Sequence, residues 1–141
     1  MTIRSTILAG VALAFAALPA AAQTYTAELG GKSENPAVQS DGVGAFNATL
    51  DAKTKQLKWE LRFWSLSGPA TASHIHGPAD AKANAGVVVP LTKAGDVGPY
   101  AGAATLTDAQ IADLNAGKWY VNVHTAKNAP GEIRGQVMKA K

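Results

Sequence analysis

The 141-residue chain has no cysteine. That excludes disulfides, thiolate metal centres and cysteine nucleophiles together. It also lacks a G-x-S-x-G elbow, an acid evidently placed behind a histidine, and a phosphate-cradling glycine motif, so neither serine hydrolysis nor nucleotide chemistry has a foothold. Charge is sparse as well: the formal net charge is +3, and the lysines are scattered rather than striped, which argues against a nucleic-acid partner. The one local cluster, Lys53, Lys55 and Lys58, surrounds an expected hairpin turn and reads as a solvated sheet edge. No linker, internal repeat or low-complexity segment interrupts residues 23–141. Long apolar runs are missing except at the start, where Arg4, a short apolar stretch broken by Pro19, and Ala20-Ala21-Ala22 form a secretory-signal pattern. Cleavage is expected after Ala22, leaving residues 23–141 as one domain in a periplasmic or secreted location, with no membrane anchor in the mature form. In a compartment that permits disulfides, a protein without them relies on its core or on a bound ion.

What remains is mostly a period of two. In KQLKWELRFW, Leu57, Trp59, Leu61 and Phe63 alternate with Lys58, Glu60 and Arg62, the pattern of a half-buried antiparallel strand. The preceding GVGAFNATL pairs with it through a turn at Asp51 to Thr54. Further strands are expected at Tyr25 to Leu29, Ala70 to His76, Gly86 to Leu91, Tyr100 to Thr105, Lys118 to His124 and Glu132 to Met138. That number of short strands predicts an all-β sandwich or barrel. One short crossover helix interrupts it: Thr107 as N-cap with Gln110 three residues on makes a capping box, Leu106 staples to Ile111, and Gly117 closes the end. The segment KSENPAVQSDG, residues 32 to 42, has turn chemistry throughout and is expected over one end of the sheet.

Histidine is rare, and its placement carries the chemistry. Two of the three histidines, His74 and His76, stand one residue apart in SHIHGP. On a strand they share a face while Ile75 points to the core. In KWYVNVHT, Trp119, Val121 and Val123 form the apolar face, and Tyr120, Asn122 and His124 the other. All three histidines therefore sit opposite apolar faces. One reading makes them outward residues that brace the GPADAKANAG and TAKNAPG loops through hydrogen bonds. The other makes them a three-imidazole metal site, with ring nitrogens converging to about 4 Å. Three imidazoles without thiolate suit copper, with zinc the less favoured ion. Asp80, Glu132 and Met138 are candidates for a fourth ligand by position only.

The blocks SHIHGPA, GVVVPL, GKWYVNVHT and PGEIRGQV, together with the early PAVQSDGVGAFNATLD, resemble the CHRD domain family over essentially all of residues 23–141. The resemblance implies an Ig-like or superoxide-dismutase-like antiparallel β-sandwich. The H-x-H pair and the later V-H strand end are also faintly similar to copper/zinc superoxide dismutases. On that analogy His74, His76 and His124 are copper ligands and Arg134 is the residue that draws superoxide to the metal. The bridging histidine, the zinc ligands and the paired cysteines of those enzymes have no counterpart. Within EIRGQ, Arg134 also reads as a cross-strand partner on the face of Glu132 and Gln136. The leading expectation is an exported protein that binds copper for metal handling, with the ion and another periplasmic protein as partners. The alternatives are a copper-dependent superoxide dismutase-like enzyme and a non-catalytic matrix or protein-binding module.

Overall fold

Apolar residues at every second position put one face of each strand in a common interior, and among the described residues eight strands close around it. The computed structural model describes residues 22–92 and 100–141. The expected secretory signal therefore lies outside the described residues, apart from Ala22. The strands are β1 (Gln23–Gly30), β2 (Val43–Asp51), β3 (Gln56–Trp64), β4 (Ala70–His76), β5 (Val87–Thr92), β6 (Tyr100–Thr105), β7 (Trp119–Thr125) and β8 (Ile133–Lys139), with one helix, α1 (Asp108–Asn115), between β6 and β7. They form a single antiparallel sheet in the order β5-β4-β7-β8-β1-β2-β3-β6. Its edge strands β5 and β6 approach each other. The sandwich expected from the sequence is thus realised as one continuous, nearly barrel-shaped sheet, whose facing halves enclose the core.

That core holds Tyr25, Ala27 and Leu29 of β1, Phe46, Ala48 and Leu50 of β2, Leu57, Trp59 and Leu61 of β3, Ile75 of β4, and Trp119, Val121 and Val123 of β7. The hairpin between β2 and β3 turns where expected: the Asp51 carboxylate accepts from the backbone N–H groups of Lys53 and Thr54. Lys55, beyond it, pairs with Asp108 at 2.8 Å in the open. The capping box of α1 is complete: Thr107 Oγ1 accepts from Gln110 N at 3.2 Å, and Gln110 Oε1 accepts from Thr107 N at 2.8 Å. Gly117 ends the helix region with φ +69°, a conformation that suits glycine. Leu106 and Leu114 are buried in the core with Ile111 packed against it, so α1 caps one end of the interior.

The outer face follows the sequence reading on β2 and β3, where Thr49, Lys58 and Arg62 are exposed. It departs from that reading on β7 and β8. Tyr120, Asn122, Glu132 and Arg134 alternate with core residues, yet each is nearly fully buried. The cause is a second, polar layer. Residues 31–42 and 77–86 fold over this face and tie to each other, Asn35 Nδ2 donating to Lys82 O at 2.8 Å and Asn84 Nδ2 to Asn35 O at 2.9 Å. Strand periodicity records which residues share a face, but not whether loops come back to cover it.

Candidate metal centre

The histidines lie on the adjacent strands β4 and β7, partly buried on the outer face beside Tyr120 and Asn122. In the β4–β7 register His74 faces Asn122, His76 faces Tyr120, and Ala72 faces His124. His124 is therefore the diagonal neighbour of His74, within reach of a long side chain. Ile75, between the pair, is fully buried, which fixes both imidazoles on the opposite side. One ligand nitrogen from each of His74, His76 and His124 lies within 4.8 Å of the others, slightly wider than the convergence the sequence predicts. His74 Nδ1 and His124 Nε2 are 3.1 Å apart.

Hydrogen bonds decide which nitrogens face inward. His76 Nδ1 is 2.9 Å from Ala85 O, and His124 Nδ1 is 2.9 Å from Ala129 O. A carbonyl only accepts, so both Nδ1 atoms carry the proton and both Nε2 atoms carry the lone pair. The Nε2 of His76 is buried with no hydrogen-bond partner. With His124 Nε2 as acceptor, the short contact requires a proton on His74 Nδ1 when no ion is bound. An ion that took both nitrogens would need only a tautomer change at His74. The pKa of His74 is lowered by burial and then by the charges of His124 and His76. Burial, reinforced by His76, also lowers that of His124 against the opposing pull of the Ala129 carbonyl. Both rings are thus held towards the neutral form that ligates metal. The loop-bracing and metal-site readings are compatible at His76 and His124, since bracing uses Nδ1 and leaves Nε2 turned towards the cluster.

None of the three candidate fourth ligands joins the cluster. Asp80 is exposed on the 77–86 loop, and Met138 is 55% exposed on β8. Glu132 is fully buried but already saturated: Oε1 accepts from Ser40 Oγ at 2.6 Å and Ser67 N at 2.7 Å, and Oε2 from Ser67 Oγ at 2.5 Å and Thr125 Oγ1 at 2.6 Å. Burial alone would raise its pKa, but the hydrogen bonds from Ser40, Ser67 and Thr125 outweigh it and hold the carboxyl at about 2. It is a clasp joining the loops of Ser40 and Ser67 and the end of β7 to the residue that leads into β8.

Arg134 is 1% exposed. It pairs in register with Asn122 and Gly30, and its guanidinium lies over the Tyr120 ring, Cζ 3.4 Å from the centroid. The other neighbour of Tyr120 is His76, whose ring stacks parallel to it at 4.9 Å and 3°. Tyr120 is the residue the sequence reading passes over, although its alternation with Asn122 and His124 places it on the histidine side of β7. Beside the cluster a cleft of about 380 Å³ is lined by Glu34, Tyr120, Asn122, Pro130 and Gly131, among others. Burial raises the pKa of Glu34 there, partly offset by Arg134. Gly131, at φ +144°, passes so close that a Cβ would strike the Glu34 carboxylate.

The CHRD domain family model matches residues 25–137. No curated protein and no solved structure matches the chain.

Proposed function

The chain belongs to the CHRD domain family, and from that premise and the histidine geometry we propose that it is an exported protein that binds copper through His74, His76 and His124 and serves in metal handling outside the cytoplasm. The observation that carries the reading is the arrangement of ring nitrogens: two Nδ1–H groups anchored on carbonyls, and three ligand atoms within 4.8 Å of one another. A hydrogen bond on the remote nitrogen is what holds a metal-binding imidazole in tautomer and orientation. His76 Nε2, buried and unpartnered, carries a desolvation cost that an ion would relieve. The donor set, imidazole with no thiolate, favours copper over zinc.

Handling rather than superoxide turnover is supported by the surroundings of Arg134. Its guanidinium is buried and committed to neighbours, whereas a residue that steers an anion must present its charge to solvent. Metal analysis of the mature protein, alone and with His74→Ala, tests the proposal. About one copper per chain in the native protein and a large loss in the variant are expected, since one ion takes all three imidazoles. A native protein that takes up no copper from a stoichiometric supply would leave the histidines as loop braces alone.

A further inference from the structure

The loop that carries the carbonyl partner of His76 has little to anchor itself. In PADAKANAG, residues 78–86, Ala79 is buried, but Ala81, Lys82, Ala83 and Asn84 are exposed and offer no apolar side chain of any size. Its start is tied down by Ala79 N donating to Lys118 O at 2.8 Å and Gln136 Nε2 donating to Ala79 O at 3.0 Å. Arg134 holds its middle from beneath. Nη1 donates to Asn84 Oδ1 at 2.9 Å, and Nη2 to Ala83 O at 2.7 Å and Asp80 O at 3.4 Å. Its end is held by Tyr120, whose hydroxyl accepts from Ala85 N at 3.2 Å and approaches Ala85 O at 3.4 Å. Ala85 O is the acceptor for His76 Nδ1. Because β4 and β8 flank β7 on opposite sides, Tyr120 lies between the His76 ring and the Arg134 guanidinium, touching both.

We infer that Arg134 is a positioning residue for the metal centre: through Tyr120 and the 80–85 loop it locks the His76 ring with Nδ1 as donor and Nε2 as ligand. This rests on the metal reading above, and it gives Arg134 a role different from steering an anion. Only arginine suits the position. A planar fork stacks on an aromatic face while its edge serves three acceptors, whereas an ammonium keeps the charge but neither the plane nor the fork. Losing the clamp would leave the loop held by Asn35, by the Gly77–Gly86 bond and by an unsupported Tyr120, loosening the Ala85 carbonyl so that His76 samples both tautomers and a wider range of ring angles. Such losses behind a ligand typically weaken metal binding by about 10- to 100-fold without removing any ligand.

The test uses Arg134→Lys in the full mature chain, read first without metal. Nitrogen-15 NMR of the imidazoles at about pH 7.5, where an ordinary histidine is neutral, should show a single Nδ1–H tautomer at His76 in the native protein and a mixture in the variant. Zinc, a diamagnetic probe of the same three nitrogens, should then bind the variant about tenfold more weakly. Copper-loaded variant should keep its stoichiometry but show an altered copper hyperfine coupling. Should Arg134→Lys fail to fold, Asn84→Asp keeps an acceptor for Arg134 while removing the donor to Asn35, and Asn84→Ala removes both; the clamp predicts that the alanine variant alone shows the same changes to a smaller degree. An unchanged His76 tautomer with unchanged zinc affinity in a folded Arg134→Lys or Asn84→Ala variant overturns the proposal. A native protein that binds neither ion, but whose His76 tautomer is lost in Arg134→Lys, removes the metal reading and leaves the clamp standing.

Discussion

Each histidine of the cluster has two nitrogens with different tasks; one carbonyl apiece sets the division at His76 and His124, and the His124 ring sets it at His74. Protons compete with metal for the inward nitrogens, so the sign of the pH effect follows directly: copper affinity should hold at neutral pH and fall in acid as the imidazoles charge, which in an ordinary histidine happens at about pH 6.5. Because folding lowers the pKa of His74 and His124, the fall should begin at a lower pH than for an ordinary histidine. Isothermal titration with copper at a series of pH values checks this. An affinity flat from neutral to well below that range would show that imidazoles are not the ligands. Glu132 gives a second pH handle, independent of metal. Its folded pKa of about 2 lies below the ordinary 4.5, so its contribution to stability is present above pH 4.5 and is lost as pH falls towards 2. Glu132→Gln presents an amide nitrogen where the clasp needs an acceptor. It should cost about 3 kcal/mol at neutral pH, the scale of a buried hydrogen bond to a charged group, and should flatten the acid limb of stability. Urea unfolding of both proteins at neutral and acid pH measures the difference.

Among the elements, α1 shows how much local chemistry can decide. Eight residues are too few for a helix to stand alone in water, and its mean burial is slight, with Leu114 the one buried residue of the helix. Its ends compensate: a complete capping box at Thr107 and Gln110, and a left-handed glycine at 117. Thr107→Ala should therefore cost about 1 kcal/mol. Asp108→Ala, which removes an exposed pair with Lys55 and the acidic residue of the first turn of α1, should cost less, about 0.5 kcal/mol. Thermal denaturation of the two variants side by side gives the ranking, and equal losses would mean that the cap is not what holds the helix. The covered strands β7 and β8 behave differently. Around Tyr120, Asn122 and Arg134 their outer faces are covered by loops rather than water, so polar substitutions there act on buried groups even though the alternation alone would class them as surface.

At the scale of the whole molecule, a chain without cysteine closes its sheet almost completely and leaves β5 and β6 as neighbouring edges. Closure of this kind reduces the unpaired strand edge that invites association. The outer polar layer adds a second set of long-range ties, with Ser40 and Ser67 both reaching Glu132. A protein built this way can keep its structure in an oxidising compartment without disulfides. Export itself makes a separate prediction. The mature chain should begin at or near Gln23 and accumulate outside the cytoplasm, as intact-mass spectrometry of the native protein would reveal. An unprocessed Met1 in a cytoplasmic fraction would remove both the compartment and its link to extracytoplasmic metal handling.

By itself the sequence determined the strands, the helix with both its ends, the shared face of His74 and His76, and the side of β7 on which His124 stands. These follow from periods of two and from capping residues, which act between neighbours in the chain. Family membership was legible too, in SHIHGPA and PGEIRGQV. Only the tertiary structure decided that Ala72 sits opposite His124, bringing that ring diagonally against His74, and that Ala85 and Ala129 supply the carbonyls that orient the imidazoles. Alanine carbonyls leave no mark in a sequence, because every residue has one. The same limit applies to Arg134, which alternates with Glu132 and Gln136 as a surface residue would. Two loops far away in the chain cover that face, and their return turns an apparent cross-strand partner into a buried charge stacked on Tyr120.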